Sequence, residues 1–151
     1  MIRKARPEDA EQIAQVLVRS IREACILDHN NDEAILADWC ANKTPEHMRQ
    51  GIAHPGHWIV AEENGAIVGT ALISLEGNIM LCYLLPEHIG RGLGKAMLIE
   101  LLRFAKEKGL AKVTLESTAT ARSFYKHNGF VEIAETISFG GFPSYQMECV
   151  L

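Results

Sequence analysis

The sequence predicts a mixed α/β (α+β) domain whose sheet is largely antiparallel but holds one parallel strand pair. Three observations carry that reading. β-rich runs with turn signals between them recur at 58–75 and 130–150. An apolar stretch, 79–85, leads through a glycine-rich turn into an amphipathic helix pattern, and a further short strand pattern, 112–116, follows that helix. A strand, a crossover helix and a second strand in one sheet run parallel, with a right-handed connection.

In chain order, Ile2 to Ala5 reads as a first strand, and Pro7-Glu8-Asp9 opens a helix on which Ile13, Val16, Leu17 and Ile21 share a face. Residues 22 to 31 end in Asp28-His29-Asn30-Asn31, a polar stretch without core periodicity. A second helix is predicted from about Asp32 to Ala41, and Thr44-Pro45-Glu46 caps a third through about Ile52. His54-Pro55-Gly56 breaks the chain. The runs 58–62 and 66–75 then form a hairpin across Glu63-Asn64-Gly65. Ile79 to Leu85 is apolar on both faces, as expected of a central strand. The helix after the glycine turn buries Leu93, Ala96, Met97, the apolar residues of Ile99 to Leu102, Phe104 and Ala105, with Glu100, Arg103, Lys106, Glu107 and Lys108 mostly opposite, and Gly109 stops it. Lys112 to Glu116 is the next strand, 118–130 a short helix closed by Asn128-Gly129, and 130–138 with 144–150 a final hairpin. The sheet therefore has about seven strands in a single domain spanning 1–151.

The turn reads Pro86-Glu87-His88-Ile89-Gly90-Arg91-Gly92-Leu93-Gly94-Lys95. Its alternate glycines let successive backbone N–H groups point into one concavity, at the positive end of the helix that follows. It is not a Walker A loop, which would need glycine at Ile89 and a hydroxyl at Ala96. A Rossmann fingerprint from Gly90 would need glycine at Lys95. Taken alone, these ten residues are as well read as an ordinary turn that binds nothing.

A second segment, Thr118-Ala119-Thr120-Ala121-Arg122-Ser123-Phe124-Tyr125-Lys126-His127-Asn128-Gly129-Phe130, changes the balance. Together the two resemble the GNAT superfamily, the acetyl-CoA-dependent N-acetyltransferases. Residues 89 to 94 match its pyrophosphate loop, [QR]-x-x-G-x-[GA], and 118 to 130 match its N-x-x-A-x-x-F-Y-x-x-x-G-F segment. Order and separation also fit. Ile89 departs from the usual Gln or Arg, and Thr118 from the usual Asn. The phosphate contacts that the resemblance implies come largely from backbone N–H groups, so the first change is mild. Thr118 keeps a hydroxyl that can cap the helix or reach the cofactor.

The resemblance implies acetyl-CoA as co-substrate and a splay between the strands on either side of the long helix, where the pantetheine arm lies. Cys82, Tyr83 and Leu84 would meet that arm, Gly90, Arg91, Gly92, Leu93, Gly94 and Lys95 the phosphates, and Thr118 and Tyr125 the far wall. Tyr125, after Phe124, matches the family's general acid, since a phenol with a pKa near 10 can protonate a departing thiolate. The base is harder to assign. The two places where family members carry it fall near Asn78 and Val113, and neither can take a proton. Glu116, at the end of its strand, could reach the cleft; its other reading is a surface carboxylate, and a water chain to Tyr83 or Glu76 would serve as well. The acceptor site is expected from 22–31, the second helix and the last hairpin. Asp28, Asp32 and Glu33 would draw a cationic amine, and Trp39, Phe139, Phe142 and Tyr145 would form an apolar wall.

At 48% hydrophobic and 23% charged residues, composition is that of an ordinary globular domain. A net charge of −4 argues against a nucleic-acid partner. No apolar run has a membrane span's length and no secretory leader is recognisable, so the cytoplasm is the expected compartment. Cys25, Cys40, Cys82 and Cys149 are scattered, and no metal site is expected. The expected partner is a primary amine on a small molecule or a peptide, attacking the thioester directly. A non-catalytic acyl-CoA-binding module and a transferase of longer acyl groups remain alternatives. A homodimer through the apolar final strand, Met147 to Leu151, is a further expectation.

Overall fold

The computed structural model describes residues 1–138 and 140–151, and the period-two runs of the sequence become strands β1 (Ile2–Lys4), β2 (His57–Glu63), β3 (Ala66–Ile73), β4 (Asn78–Leu84), β5 (Lys112–Ser117), β6 (Val131–Ile137) and β7 (Pro143–Val150). They form one sheet in the order β1-β2-β3-β4-β5-β7-β6. Every neighbouring pair is antiparallel except β4 and β5. Asn64 and Gly65, at φ 52° and 80°, turn β2 into β3, which is the positive-φ pair a two-residue hairpin requires.

The helices are α1 (Ala10–Ala24), α2 (Ile26–His29), α3 (Glu33–Cys40), α4 (Pro45–Ala53), α5 (Leu93–Glu107) and α6 (Arg122–His127). Along β2 the side chains alternate between two cores. Ile59 and Ala61 join α5 on one face of the sheet, while Trp58 and Val60 join α1 and α4 on the other. Met97, Leu98, Leu101 and Ala105 are the buried stripe of α5. Ile99, expected there, is 56% exposed, because at 100° per residue it stands about 200° round the helix from Met97.

Three further expectations are corrected. Residues 22–31, expected as a polar stretch without core periodicity, finish α1 and form α2, with Asp28 and His29 both buried. Met80 on β4 is 59% exposed instead of sandwiched. The final strand is not an edge: β7 lies between β5 and β6, so a second subunit pairing through the sheet would have to meet β1 or β6, the two edges. No helix among the described residues is long and apolar enough to cross a membrane.

Several carboxylates outside the site contribute to the protein's acid response, Asp9 and Glu100 among them alongside the ion-paired Glu87 and Glu132. Asp9 accepts from both terminal guanidinium nitrogens of Arg3, at 2.8 and 3.0 Å, and from the Arg6 amide. Those bonds, Arg3's above all, hold its carboxyl below its ordinary value. Glu100 is bound by Arg103 and lies 3.0 Å from His57 Nε2; Arg103 first and His57 second pull its pKa from 4.5 to about 2. A carboxyl that titrates lower folded than unfolded stabilises the fold fully above its unfolded pKa, and that contribution goes as pH falls through the folded one. The urea midpoint should therefore hold level from pH 7 to about 5 and fall steadily between about pH 4.5 and 2. Asp9→Asn together with Glu100→Gln should flatten that fall.

Candidate functional site

The parallel pair β4 and β5 is held only at its start, in the register Asn78 to Thr114 and Ile79 to Leu115. Beyond it, Met80 is an extra residue in β4, because Leu72 pairs with Leu81 and Ile73 with Ile79. Such a bulge bends the strand that carries it. Cys82, Tyr83 and Leu84 then pair with β3 alone, and their other backbone edge faces the gap. A splayed parallel pair thus has a structural cause in this chain.

On one side of the gap lies a groove of about 430 Å³. Cys82, Tyr83, Leu84, Gly90, Gly92, Gly94, Lys95, Thr118 and Tyr125 line it. Gly90 and Gly92 take φ 84° and 85°, where a side chain would be strained, and a Cβ built at either would meet nothing within 4 Å. Both line the groove. The first main-chain bond of α5 runs from the Ala96 amide to Gly92 O, which leaves the amides of 92 to 95 for an anion at the helix's positive end. Arg91 and Leu93 do not line the groove. Arg91 turns back to His88 Nδ1, at 2.8 Å, and toward Glu63, while Leu93 points into the core.

Tyr125, 6% exposed, stands edge-on between Phe124 and Phe130, at ring distances of 5.3 and 5.6 Å. Burial raises its phenol well above the ordinary value of 10, with Cys82 and Tyr83 adding to the shift. Cys82 is pushed up to about 11 by burial, against a hydrogen bond with Tyr125. Both therefore hold their protons at neutral pH.

The other side of the gap opens into a cavity of about 400 Å³. Trp39 and Phe142 line it with ring centroids 5.2 Å apart, along with Ile35, Asp38, Met80, Glu116 and Ser144. A void of about 50 Å³ between groove and cavity has Cys82, Tyr83, Glu116 and Tyr125 on its walls. Glu116 is oriented from two neighbouring strands. Ser144 Oγ donates to its Oε1, Thr136 Oγ1 lies 3.4 Å from that oxygen, and the two hydroxyls are 2.9 Å apart. Oε2 carries none of these bonds. Tyr83 borders all three spaces; burial raises its phenol, opposed by a hydrogen bond from Trp39.

Other expected acceptor residues lie elsewhere. Asp28 is 6% exposed, and its carboxylate is consumed by the Ala119 amide at 2.7 Å, the Thr120 amide at 3.2 Å and the Thr120 hydroxyl at 2.6 Å. It braces the loop before α6 and is absent from the cavity lining. Thr118 Oγ1 accepts the Ala121 amide at 3.1 Å in that same loop, so it caps locally as well as facing the groove. Asp32 caps α3, Glu33 pairs with Arg22, and Tyr145 is buried under the Arg122 guanidinium. Glu76 lines none of the three spaces, and Phe139 lies outside the described residues. The residue missed is Asp38, although Ile35, Asp38 and Trp39 stand at the i, i+3, i+4 spacing of one helix face.

Asp28→Asn turns one of three accepting contacts into a facing donor. It should weaken CoA binding about tenfold and cost about 1–3 kcal/mol of stability, read by calorimetry and urea denaturation. An unchanged CoA affinity would mean that this loop does not need its brace.

Compared with known proteins, residues 12–151 match the family model described as an acetyltransferase (GNAT) domain. An uncharacterized N-acetyltransferase of Escherichia coli strain K12, YjgM, is 30% identical over 104 residues, which are 62% of this chain and 62% of that protein. The match thus spans less than two thirds of that relative. A GCN5-related N-acetyltransferase from Rhodopseudomonas palustris superposes with a TM-score of 0.90 over 100% of this chain and 95% of its own, at 22% identity. The PaiA N-acetyltransferase of Thermoplasma acidophilum, solved with coenzyme A, gives 0.81 over 100% and 98%, also at 22%. At that identity the two structures establish the fold.

Proposed function

The chain belongs to the GNAT acetyltransferase family, and from that premise we propose that it transfers an acetyl group from acetyl-CoA to a primary amine by direct attack in a ternary complex. The observation that carries the reading is the small void where groove and cavity meet, with Tyr125 and Glu116 on its walls. A long groove with a phosphate cradle at one end suits CoA, and the cavity across the gap suits an acceptor. Bound acetyl-CoA would supply the activated carbonyl and a thiolate leaving group.

The chain's own groups then divide the work. Amides at the start of α5 and the Lys95 ammonium hold the phosphates. The free backbone edge of Cys82 to Leu84 holds the extended arm by main-chain hydrogen bonds and aims it at the void. Glu116 takes the proton that the incoming ammonium must lose, directly or through one water, so that the nitrogen lone pair is free to bond to carbon. Tyr125 gives its phenolic proton to sulfur as the carbon–sulfur bond breaks, and the second proton that the nitrogen sheds on becoming an amide restores the phenol, directly or through water. The products are the acetamide, CoA thiol and one proton. Among the described residues, no group of three or more His, Cys, Asp or Glu is placed to hold a metal ion.

The test is acetyl-CoA binding by calorimetry, followed in the same preparation by thiol release against a panel of amines. Binding with amine-dependent release supports the transferase. Binding without release to any amine would leave an acyl-CoA-binding module, and no binding would remove the reading altogether.

A further inference from the structure

The cavity across the gap from the CoA groove has a definite chemical character. Asp38 on α3 and Glu116 on β5 both line it, and no lysine, arginine or histidine does so among the described residues. Trp39 and Phe142 pack on each other with ring centroids 5.2 Å apart and planes tilted by 31°, and both line the cavity, while Ile35 and Met80 extend the apolar surface. Ser138 also lines it, and its hydroxyl oxygen is buried with no hydrogen-bond partner among the described residues. A buried hydroxyl left over in this way calls for a ligand or a water.

Resting on the acetyltransferase reading, we infer that the acceptor is a small cationic amine with an apolar or aromatic body and no carboxylate or phosphate. Aromatic faces attract a cation, and two carboxylates on one cavity concentrate it. Ser138 Oγ accepts an N–H. An anionic group on the same ligand would be confined beside like charges, with no cationic side chain to pair it. The cavity's size, about 400 Å³, is that of a small-molecule site.

Matched amines that differ by one carboxylate test this: 2-phenylethylamine against phenylalanine, and 1,5-diaminopentane against lysine. The carboxylate-bearing member of each pair should have a kcat/KM at least tenfold lower, about 1.4 kcal/mol. The comparison is conservative, because an α-amino group has a lower pKa than an alkyl amine and supplies more of the neutral nucleophile. Asp38→Lys, and more mildly Asp38→Asn, should shrink or invert the ratio; Asp38 is on an exposed helix position, so both variants should fold. Equal or better turnover of the acids, or a ratio indifferent to Asp38→Lys, overturns the inference. Calorimetric binding of the same four amines to the CoA-loaded protein reads the preference without chemistry. If CoA binds and no amine is acetylated, the transferase reading fails, while the binding ratio still decides the preference. If none of the four binds at millimolar concentration, the preference falls as well.

Discussion

Tyr125→Phe should lower kcat about 100-fold while leaving CoA affinity within twofold, at the lower bound of what a positioned general acid contributes. The substitution removes one oxygen and keeps a ring between Phe124 and Phe130, so the groove wall stays. A phenol raised by burial is a weaker acid than in water, yet its proton goes to sulfur in the same buried place. Cys82 is a gauge of that place, since a thiol there is pushed up to about 11. Burial that weakens the acid thus strengthens the base receiving its proton, and the transfer stays within reach. A second consequence concerns pH. Because Tyr125 holds its proton beyond pH 10, no alkaline loss of kcat below that pH should trace to it. Comparable loss of CoA binding in Tyr125→Phe would reassign the residue to the groove's architecture, and an unchanged kcat would remove the acid role.

Most of the framework could be read in the sequence because it rests on local signals. A period of two, Asn64-Gly65, and a glycine turn between an apolar run and an amphipathic helix each express backbone physics over a few residues. What could not be read depends on distant partners. Asp28 and His29 look like a polar loop because their burial is satisfied by hydrogen bonds, Asp28's to residues 91 and 92 positions away and His29's to Ile21 O, instead of by apolar neighbours. That β7 lies inside β6 is a matter of strand order, and apolar residues in the last strand say the same whether it is an edge or not.

For the site the division is similar. Backbone-driven features, the cradle of Gly90 and Gly92 and the free edge of Cys82 to Leu84, follow from motif and fold. The acceptor side is assembled from α3, β4, β5 and the last hairpin, four parts whose meeting no local pattern records. Trp39 and Phe142 were legible as an apolar wall of the acceptor site, and Asp38 only as a member of the helix face that carries Trp39. Thr136 and Ser144 carried no signal at all, because their value lies in the register that sets them opposite each other and beside Glu116.

That register makes the second large prediction. An alkyl ammonium with a pKa near 10.4 is neutral in only about one molecule in 2,500 at pH 7, so a base in the site should matter most at low pH. Glu116→Gln keeps the shape and the contact with Ser144 but cannot take a proton, and it should lower kcat about 100-fold at pH 7. As pH rises the solution delivers the neutral amine, tenfold more for each unit, and the deficit should narrow toward pH 9.5. Tyr125→Phe should show no such narrowing, because a missing acid is not replaced by hydroxide. Ser144→Ala leaves the carboxylate chemically intact but releases Oε1, so its effect should be smaller, about five- to tenfold in kcat with KM little changed, and Thr136→Ala smaller again. A Glu116→Gln enzyme with wild-type kcat across pH 6 to 9.5 would hand the proton to water alone. A loss constant across that range would make Glu116 a residue that orients the amine.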